Sequence, residues 1–369
     1  MEILDSTLRE GEQTPGVSFT IDQKVAIAKR LDAFGVDFIE LGHPAVSPDV
    51  YEAVEVLNDL NLNTKKIAHG CASKSDINDV AAIGVSWMGI FFGTSLLSLK
   101  HKFNMTKSDA LAQIETAVKY GKDKGLHLRF TAEDASRTDI GFLIEVGQLA
   151  QKAGADRFSL ADTVGCLTPT KIKKMVDRIV TELDIPIHVH CHNDFGMATA
   201  NAISAVEAGA QCVDVTVNGL GERCGIPPLA EVTTALTELI KVNNYWELGI
   251  LPELSELVNS FSGRASTVNQ PIVGKNAFTH KAGLHVKAVV LEPKSYEAIP
   301  PEKVHRKRHV VIDKYTGRFA LKNKLDSLNL KVNKQMLNRI LKEIKARPSI
   351  VNWTDKALIS LAKTMGIEA

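Results

Sequence analysis

Three histidines share one face of a short apolar run, Ile187-His188-Val189-His190-Cys191-His192-Asn193-Asp194. Successive strand side chains point to opposite faces, so His188, His190 and His192 lie together while Ile187, Val189 and Cys191 suit a buried packing surface. Two imidazoles at i and i+2 can grip one divalent ion from a single strand. A carboxylate completes the set, and the best placed one follows the first apolar run, in Arg9-Glu10. Two histidines and one carboxylate leave coordination positions open. A 2-oxo acid can chelate there through its carboxylate and keto oxygens, with the ion acting as a Lewis acid on the ketone. Arg9 cannot lose its charge and would stabilise an alkoxide forming at that place.

Such residues need a scaffold that gathers distant segments. Eight short apolar, β-branched runs recur with amphipathic stretches between them: Ile3–Ser6, Asp37–Leu41, Lys66–His69, Trp87–Phe92, Leu126–Thr131, Arg157–Ala161, Ile187–Cys191 and Cys212–Val217. Thr20-Ile21-Asp22-Gln23 is a capping box opening the first helix. Gly35, Gly84, Gly125, Gly154 and Gly209 stand just before the next strand, where a helix stops. Eight strand–helix alternations in about 240 residues predict a (β/α)₈ TIM barrel over residues 1–255, with a doubly wound open sheet as the alternative. Beyond residue 255 the rhythm breaks. Ser260–Asn276 reads as a connector, residues 277–320 mix short signals, and from Arg318 onward the pattern is helical again, so 256–369 is expected to be a linker and a small, mostly helical subdomain.

In such a barrel, chemistry belongs at the C-terminal strand ends. Those ends carry Arg9, Glu10 and Gln13 after the first strand, His69 after the third, Arg129, Thr131 and Glu133 along the fifth, Thr163 after the sixth, His190 and His192 on the seventh, and Asp214, Thr216 and Asn218 on the eighth. Buried polar groups are costly without partners, so a ring of them implies a metal or a polar ligand. The bulk composition limits the rest. The chain has 369 residues, 44% hydrophobic and 24% charged, with a net charge of +1, which argues against a nucleic-acid or membrane-surface partner. Met1-Glu2-Ile3-Leu4-Asp5 does not read as a signal peptide, and five cysteines without C-x-x-C spacing suit a reduced, cytoplasmic protein.

Asp5-Ser6-Thr7-Leu8-Arg9-Glu10-Gly11-Glu12-Gln13, His190-Cys191-His192-Asn193-Asp194, Gly219-Leu220-Gly221-Glu222-Arg223 and Phe278-Thr279-His280-Lys281-Ala282-Gly283-Leu284-His285 together resemble the signatures of the DRE-TIM metallolyase superfamily. Over nearly the whole chain the resemblance is to its Claisen-condensing branch, the homocitrate, isopropylmalate and citramalate synthases. It implies acetyl-CoA and a 2-oxo acid as substrates, giving a 2-hydroxy acid product and free CoA. It implies a divalent metal (Mg, Mn, Co or Zn) on Glu10, His190 and His192, with Asn218 as a further polar group beside it. Arg9 and Gln13 would contact the oxo acid, and Glu133 and His285 would serve the acid–base work. The resemblance also implies a homodimer in which the subdomain histidine serves the partner's site. In some relatives a tyrosine follows that histidine closely; here Val289 and Val290 occupy that stretch and the nearest tyrosine is Tyr296.

Arg129 bears on which oxo acid is used. On the face shared with Thr131 and Glu133 it is expected to enter the pocket and bind a second substrate carboxylate. This stretch is similar to that of homocitrate synthases, which use 2-oxoglutarate, and His69 matches another of their substrate positions. A 2-isopropylmalate or citramalate synthase, with Arg129 folded away, is the alternative within the branch; an acyl-CoA carbon–carbon lyase is the alternative outside it. Gly219, Gly221, Glu222 and Arg223 form a glycine-rich turn expected to cradle the diphosphate of CoA in a backbone nest. The basic run His305-Arg306-Lys307-Arg308-His309 reads as a solvated face, with contact to CoA phosphates as the alternative.

Overall fold

The computed structural model describes residues 1–366. They form two compact units, Met1–Ser266 and the chain from Thr267 onward. In the first, β1 (Glu2–Asp5), β2 (Phe38–Glu40), β3 (Lys65–Cys71), β4 (Trp87–Gly93), β5 (His127–Glu133), β6 (Arg157–Asp162), β7 (Ile187–Cys191) and β8 (Cys212–Val215) pair in sequence order. All pairings are parallel, and β8 returns to β1 in the register Glu2–Cys212 through Asp5–Val215, closing the barrel. The eight-stranded TIM barrel expected from the sequence is therefore what forms, and the open sheet is not.

The outer layer is α1 (Ile21–Phe34), α2 (Pro48–Asn58), α3 (Lys74–Ile83), the single turn α4 (Leu96–Ser98), α5 (Lys107–Asp123), α6 (Ile140–Ala153), α7 (Pro169–Val180), α8 (Ala198–Glu207), α9 (Leu229–Ala235) and α10 (Leu251–Ser262). The capping box is present: the Gln23 N–H donates to Thr20 Oγ1 at 3.2 Å and the Thr20 N–H donates to Gln23 Oε1 at 2.9 Å. Gly35 stops α1 at φ 93°, a conformation only glycine adopts cheaply. Strands covered on both faces read as near-continuous apolar runs, and β6 and β7 are buried at every residue.

The barrel interior is stratified. At its base Leu4, Phe38, Ile67 and Cys212 pack with Trp87. Phe38 meets Trp87 edge-on at 5.3 Å, and the Arg157 guanidinium lies 4.8 Å above the Phe38 ring. One layer toward the C-terminal ends, Glu40, His69, Arg129, His190 and Asp214 are all buried. The apolar floor thus supports a charged layer directly beneath the mouth.

The second unit has the two-residue strands β9 (Thr279–His280) and β10 (His309–Val310), paired in parallel, and the helices α11 (Gly283–Leu291), α12 (Arg318–Ser327), α13 (Lys334–Ala346) and α14 (Asp355–Thr364). Its core includes Leu321, Leu325, Ile340, Ile344, Trp353 and Leu358. From Arg318 onward the unit is helical again, as the sequence suggested, after the short helix α11. The division between units falls after Ser266 rather than at residue 255, because α10 runs unbroken through that position. Among the described residues no helix is long and apolar enough to cross a membrane, and all five cysteines are unpaired.

Candidate active site

The strand ends enclose a cavity of about 250 Å³ whose walls include Arg9, Glu10, Gln13, His69, Arg129, Thr131, Glu133, Thr163, His190, His192 and Glu222. Eleven residues named from the sequence therefore meet at one mouth. Within it, Glu10, His190 and His192 each offer a donor atom, all within 4.8 Å of one another. His190 Nδ1 lies 3.1 Å from Asp214 Oδ2, which fixes the ring and turns its other nitrogen toward the cluster. His192 Nδ1 is buried without a partner. Burial, helped by the neighbouring His190, pulls His192 down to about 4, so its imidazole is neutral and fit to ligate. Burial opposes ionisation of Glu10, but Arg9 and then the two histidines outweigh it and hold the carboxyl below the usual glutamate range. One carboxylate oxygen and two imidazole nitrogens make a donor set that fits a divalent ion.

His188 shares the inward face but sits a layer deeper. It contacts Arg157 at 3.0 Å, and its Nδ1 faces Asp214 Oδ1 at 3.6 Å. The histidine row therefore divides between the cluster and the barrel floor.

Asn218 departs from its expected place. The sequence reading extends the eighth strand to Val217, which would put Asn218 on the face of Asp214. The strand ends at Val215, and Val217–Gly219 is a 3-10 turn with Asn218 at φ 61°. The alternation therefore does not reach Asn218. Its amide donates to Ser255 O at 3.0 Å and to Asn259 Oδ1 at 2.9 Å, and its oxygen accepts from Ser255 Oγ at 2.6 Å. The side chain is held by α10.

The glycine-rich turn is bonded to its neighbours in the barrel. The Gly219 N–H donates to Thr216 O, the Gly221 N–H to Thr14 Oγ1 at 2.7 Å, and the Glu222 N–H to Glu10 Oε1 at 2.9 Å. These three amides are committed within the fold. Arg223 is clamped on Asp194 at 2.8 and 2.9 Å. The turn braces the Glu10 carboxylate. A Cβ on Gly221 would stand 2.9 Å from Glu10 Oε1, so Gly221→Ala is expected to weaken metal affinity about 10–100-fold. Competition titration with a metallochromic chelator measures it, and unchanged affinity would show that the turn does not position Glu10.

Arg129 occupies the cavity floor rather than standing free. Nη2 donates to Glu40 Oε1 at 2.9 Å and Nη1 to Asp214 Oδ2 at 3.0 Å, with the side chain 1% exposed. Gly89, its register partner on β4, leaves the room: a Cβ there would lie 3.0 Å from Nη2. Glu40 also accepts from Arg9 Nε at 2.7 Å and from Ser6 Oγ, and meets His69 Nδ1 at 3.1 Å. Arg9 donates to Glu10 Oε2 at 2.6 Å and lies 3.5 Å from Gln13 Oε1. A continuous chain of charges thus runs Glu10–Arg9–Glu40–Arg129–Asp214, and Asp214 meets His190. Four atoms of the cavity-lining residues have no hydrogen-bond partner: Arg129 Nε, Thr131 Oγ1, His192 Nδ1 and Asp214 Oδ1. The Thr163 hydroxyl accepts the Asp134 N–H at 2.8 Å.

Lys102 was not singled out from the sequence. It approaches both oxygens of Glu133, at 2.8 and 2.9 Å. Gly93 lets the segment after β4 seat tightly enough to carry it there, since a Cβ would lie 2.7 Å from Ser98 Cβ, and Phe92 stacks on Phe103 at 4.4 Å. Nothing in local spacing marks this lysine. His285 belongs to the second unit, where its ring stacks on Tyr296 at 4.1 Å.

The site makes stability acid-sensitive. Burial holds His69, His188 and His192 near 4, below the ordinary histidine value. Between about pH 6.5 and 4 the unfolded chain therefore binds protons that the folded chain does not, and stability falls as pH falls. Asp5 opposes this, because burial raises it to about 7 and its protonated form favours the folded state. Three histidines against one aspartate leave the histidine effect dominant. The melting temperature of metal-free protein is expected to drop progressively from pH 6.5 to 4, and a flat profile would contradict the burial of these rings.

The comparisons with known proteins place the barrel in the DRE-TIM superfamily. Residues 1–258 match the family described as HMGL-like, and residues 272–350 match the homocitrate synthase post-HMGL domain-like family. The homocitrate synthases of Sulfurisphaera tokodaii and Saccharolobus solfataricus are 45% and 44% identical to this chain, over 98% of it and 80% and 79% of their own lengths. The HMG-CoA lyase structures from Pseudomonas aeruginosa and Brucella melitensis share the fold. Their TM-scores are 0.64 and 0.62 at 18% and 20% identity, covering 72% and 71% of this chain and 94% and 98% of theirs. The chain belongs to the HMGL-like family and, within it, groups with the homocitrate synthases as an enzyme of the acyl-transferring EC 2.3.3 type.

Proposed function

We propose that the protein is a homocitrate synthase, condensing acetyl-CoA with 2-oxoglutarate and hydrolysing the resulting thioester to homocitrate and CoA. The observation that carries the reading is the Glu10–His190–His192 cluster with Arg9 bonded to Glu10 at the same mouth, in a chain whose relatives bear that name. A divalent ion held by this cluster supplies Lewis acidity toward the ketone of a chelating 2-oxo acid. Arg9 offers permanent positive charge where negative charge develops on that oxygen. Gln13, His69 and the unpartnered Thr131 hydroxyl offer polar contacts for the oxo acid, and Arg129 contributes its unpartnered Nε–H and its field from below. Glu133, steadied by Lys102, is the carboxylate placed to take a proton from the weakly acidic acetyl methyl. The cations Arg9, Arg129 and Lys102 face Glu10, Glu40, Asp214 and Glu133, so a bound divalent ion leaves a net positive surround, which suits a dianionic oxo acid.

The reading includes a cytoplasmic homodimer in which His285 serves the partner's reaction. Mixing inactive Glu10→Gln and His285→Ala proteins is then expected to restore activity that neither has alone. The deciding test of substrate is steady-state CoA release with 2-oxoglutarate, 2-oxoisovalerate and pyruvate in parallel, on metal-stripped and metal-restored enzyme. Preference for 2-oxoisovalerate or pyruvate would move the assignment to an isopropylmalate or citramalate synthase. Full turnover after stripping would remove the metal from the reaction.

A further inference from the structure

In the second unit, the run His305-Arg306-Lys307-Arg308-His309 leads into β10 beside a groove of about 770 Å³. Lys275, Lys324 and the start of α14 at Trp353–Asp355 form its other walls. Like charges gathered round one concavity repel, and surface cations ordinarily relieve this by pairing with carboxylates. Here most do not. Arg308 pairs with Glu297 and Lys324 with Asp355 at 2.7 Å, but Lys275, Arg306 and Lys307 make no ion pair among the described residues. Arg306 donates only to a backbone oxygen, Gly274 O, at 3.0 Å.

A second observation points to the same place. Trp353 lines the groove, is 4% exposed, and its Nε1–H is buried with no acceptor. An unsatisfied buried donor costs about 1–3 kcal/mol. A ligand seated against the indole with an acceptor on that N–H would satisfy it. The ten-residue helix α14 also begins here, and its N-terminal end adds partial positive charge.

We propose that this groove binds a phosphate-bearing ligand, with phosphoryl oxygens on Lys275, Arg306 and Lys307 and one acceptor atom on the indole N–H of Trp353. The chemistry has two sources: the nucleotide end of a CoA thioester, or a free phosphorylated effector. The first rests on the acetyl-CoA reading above, whereas binding at the groove does not.

The test uses the full-length protein with adenosine 3′,5′-bisphosphate and inorganic pyrophosphate as probes, followed by calorimetry. Saturable binding that weakens with added salt is expected, and it should fall about tenfold or more in Lys275→Glu/Lys307→Glu while Lys275→Arg/Lys307→Arg retains it. Both lysines are exposed, so the fold should tolerate these changes. Absence of saturable binding, or equal binding by the Glu variant, overturns the proposal. Trp353→Phe keeps the ring volume and removes the donor; unchanged affinity in it overturns the indole's part. Kinetics separate the two sources. A roughly tenfold rise in KM for acetyl-CoA at constant kcat in the Glu variant identifies the coenzyme handle. An unchanged KM with lost probe binding identifies a separate effector.

Discussion

Glu10→Gln is expected to lower kcat/KM for CoA release about a thousandfold while leaving the barrel folded. The substitution removes the one anionic donor from the cluster and keeps the side chain's shape. It also takes a carboxylate from Arg9, which then has Glu40 as its remaining carboxylate partner. Losing a preorganised charge at the place where transition-state charge develops costs about two to three orders of magnitude on its own, and weakened metal binding adds to it. The Glu222 N–H that Glu10 now accepts can still bond to the amide oxygen of glutamine, so the turn should hold and the circular dichroism should match the parent. Metal content after dialysis and steady-state turnover read the two effects separately. A variant that keeps its metal and works within tenfold of the parent would remove Glu10 from the site.

Arg129→Met is expected to act on stability first. The guanidinium links two buried carboxylates contributed by β2 and β8, and burial raises the cost of leaving either without its cation. Breaking such a pair from one side costs about 3–5 kcal/mol. Asp214 keeps His190 as a partner, but released from Arg129 it can move, and the ring it orients moves with it. Metal affinity should therefore fall along with the melting temperature. Adding Glu40→Gln to Arg129→Met should recover part of the stability, because the second change removes one of the stranded charges. Arg129 read as a free pocket cation gives a different outcome: a raised KM for 2-oxoglutarate, an unchanged melting temperature and an unchanged metal affinity. Calorimetric melting and metal titration of the single and double variants distinguish the two. The second pattern would overturn the buried charge chain as the organiser of the mouth.

Much of this protein was legible along the chain. The alternation of apolar strands and amphipathic helices, with capping at Thr20 and stops such as Gly35, depends on neighbours within a few residues, so local physics determined it. Glu10, His190 and His192 were legible for a related reason. Strand alternation places His190 and His192 on one face, and barrels put chemistry at the strand ends where both those residues and Arg9-Glu10 lie. Tertiary structure decided what those side chains touch. Arg129 meets Glu40, 89 residues away, and Asp214, 85 residues away, through a gap left by Gly89 on β4. Lys102 reaches Glu133 across 31 residues. The glycine-rich turn supports Glu10 across 212 residues. Asn218 lost its expected place because β8 ends two residues earlier than its apolar pattern. Local sequence sets which way a side chain leaves its strand, but only the closed register of eight strands sets which opposing charge it meets. In a buried layer that meeting decides whether a cation is available to a substrate or already neutralised by the fold.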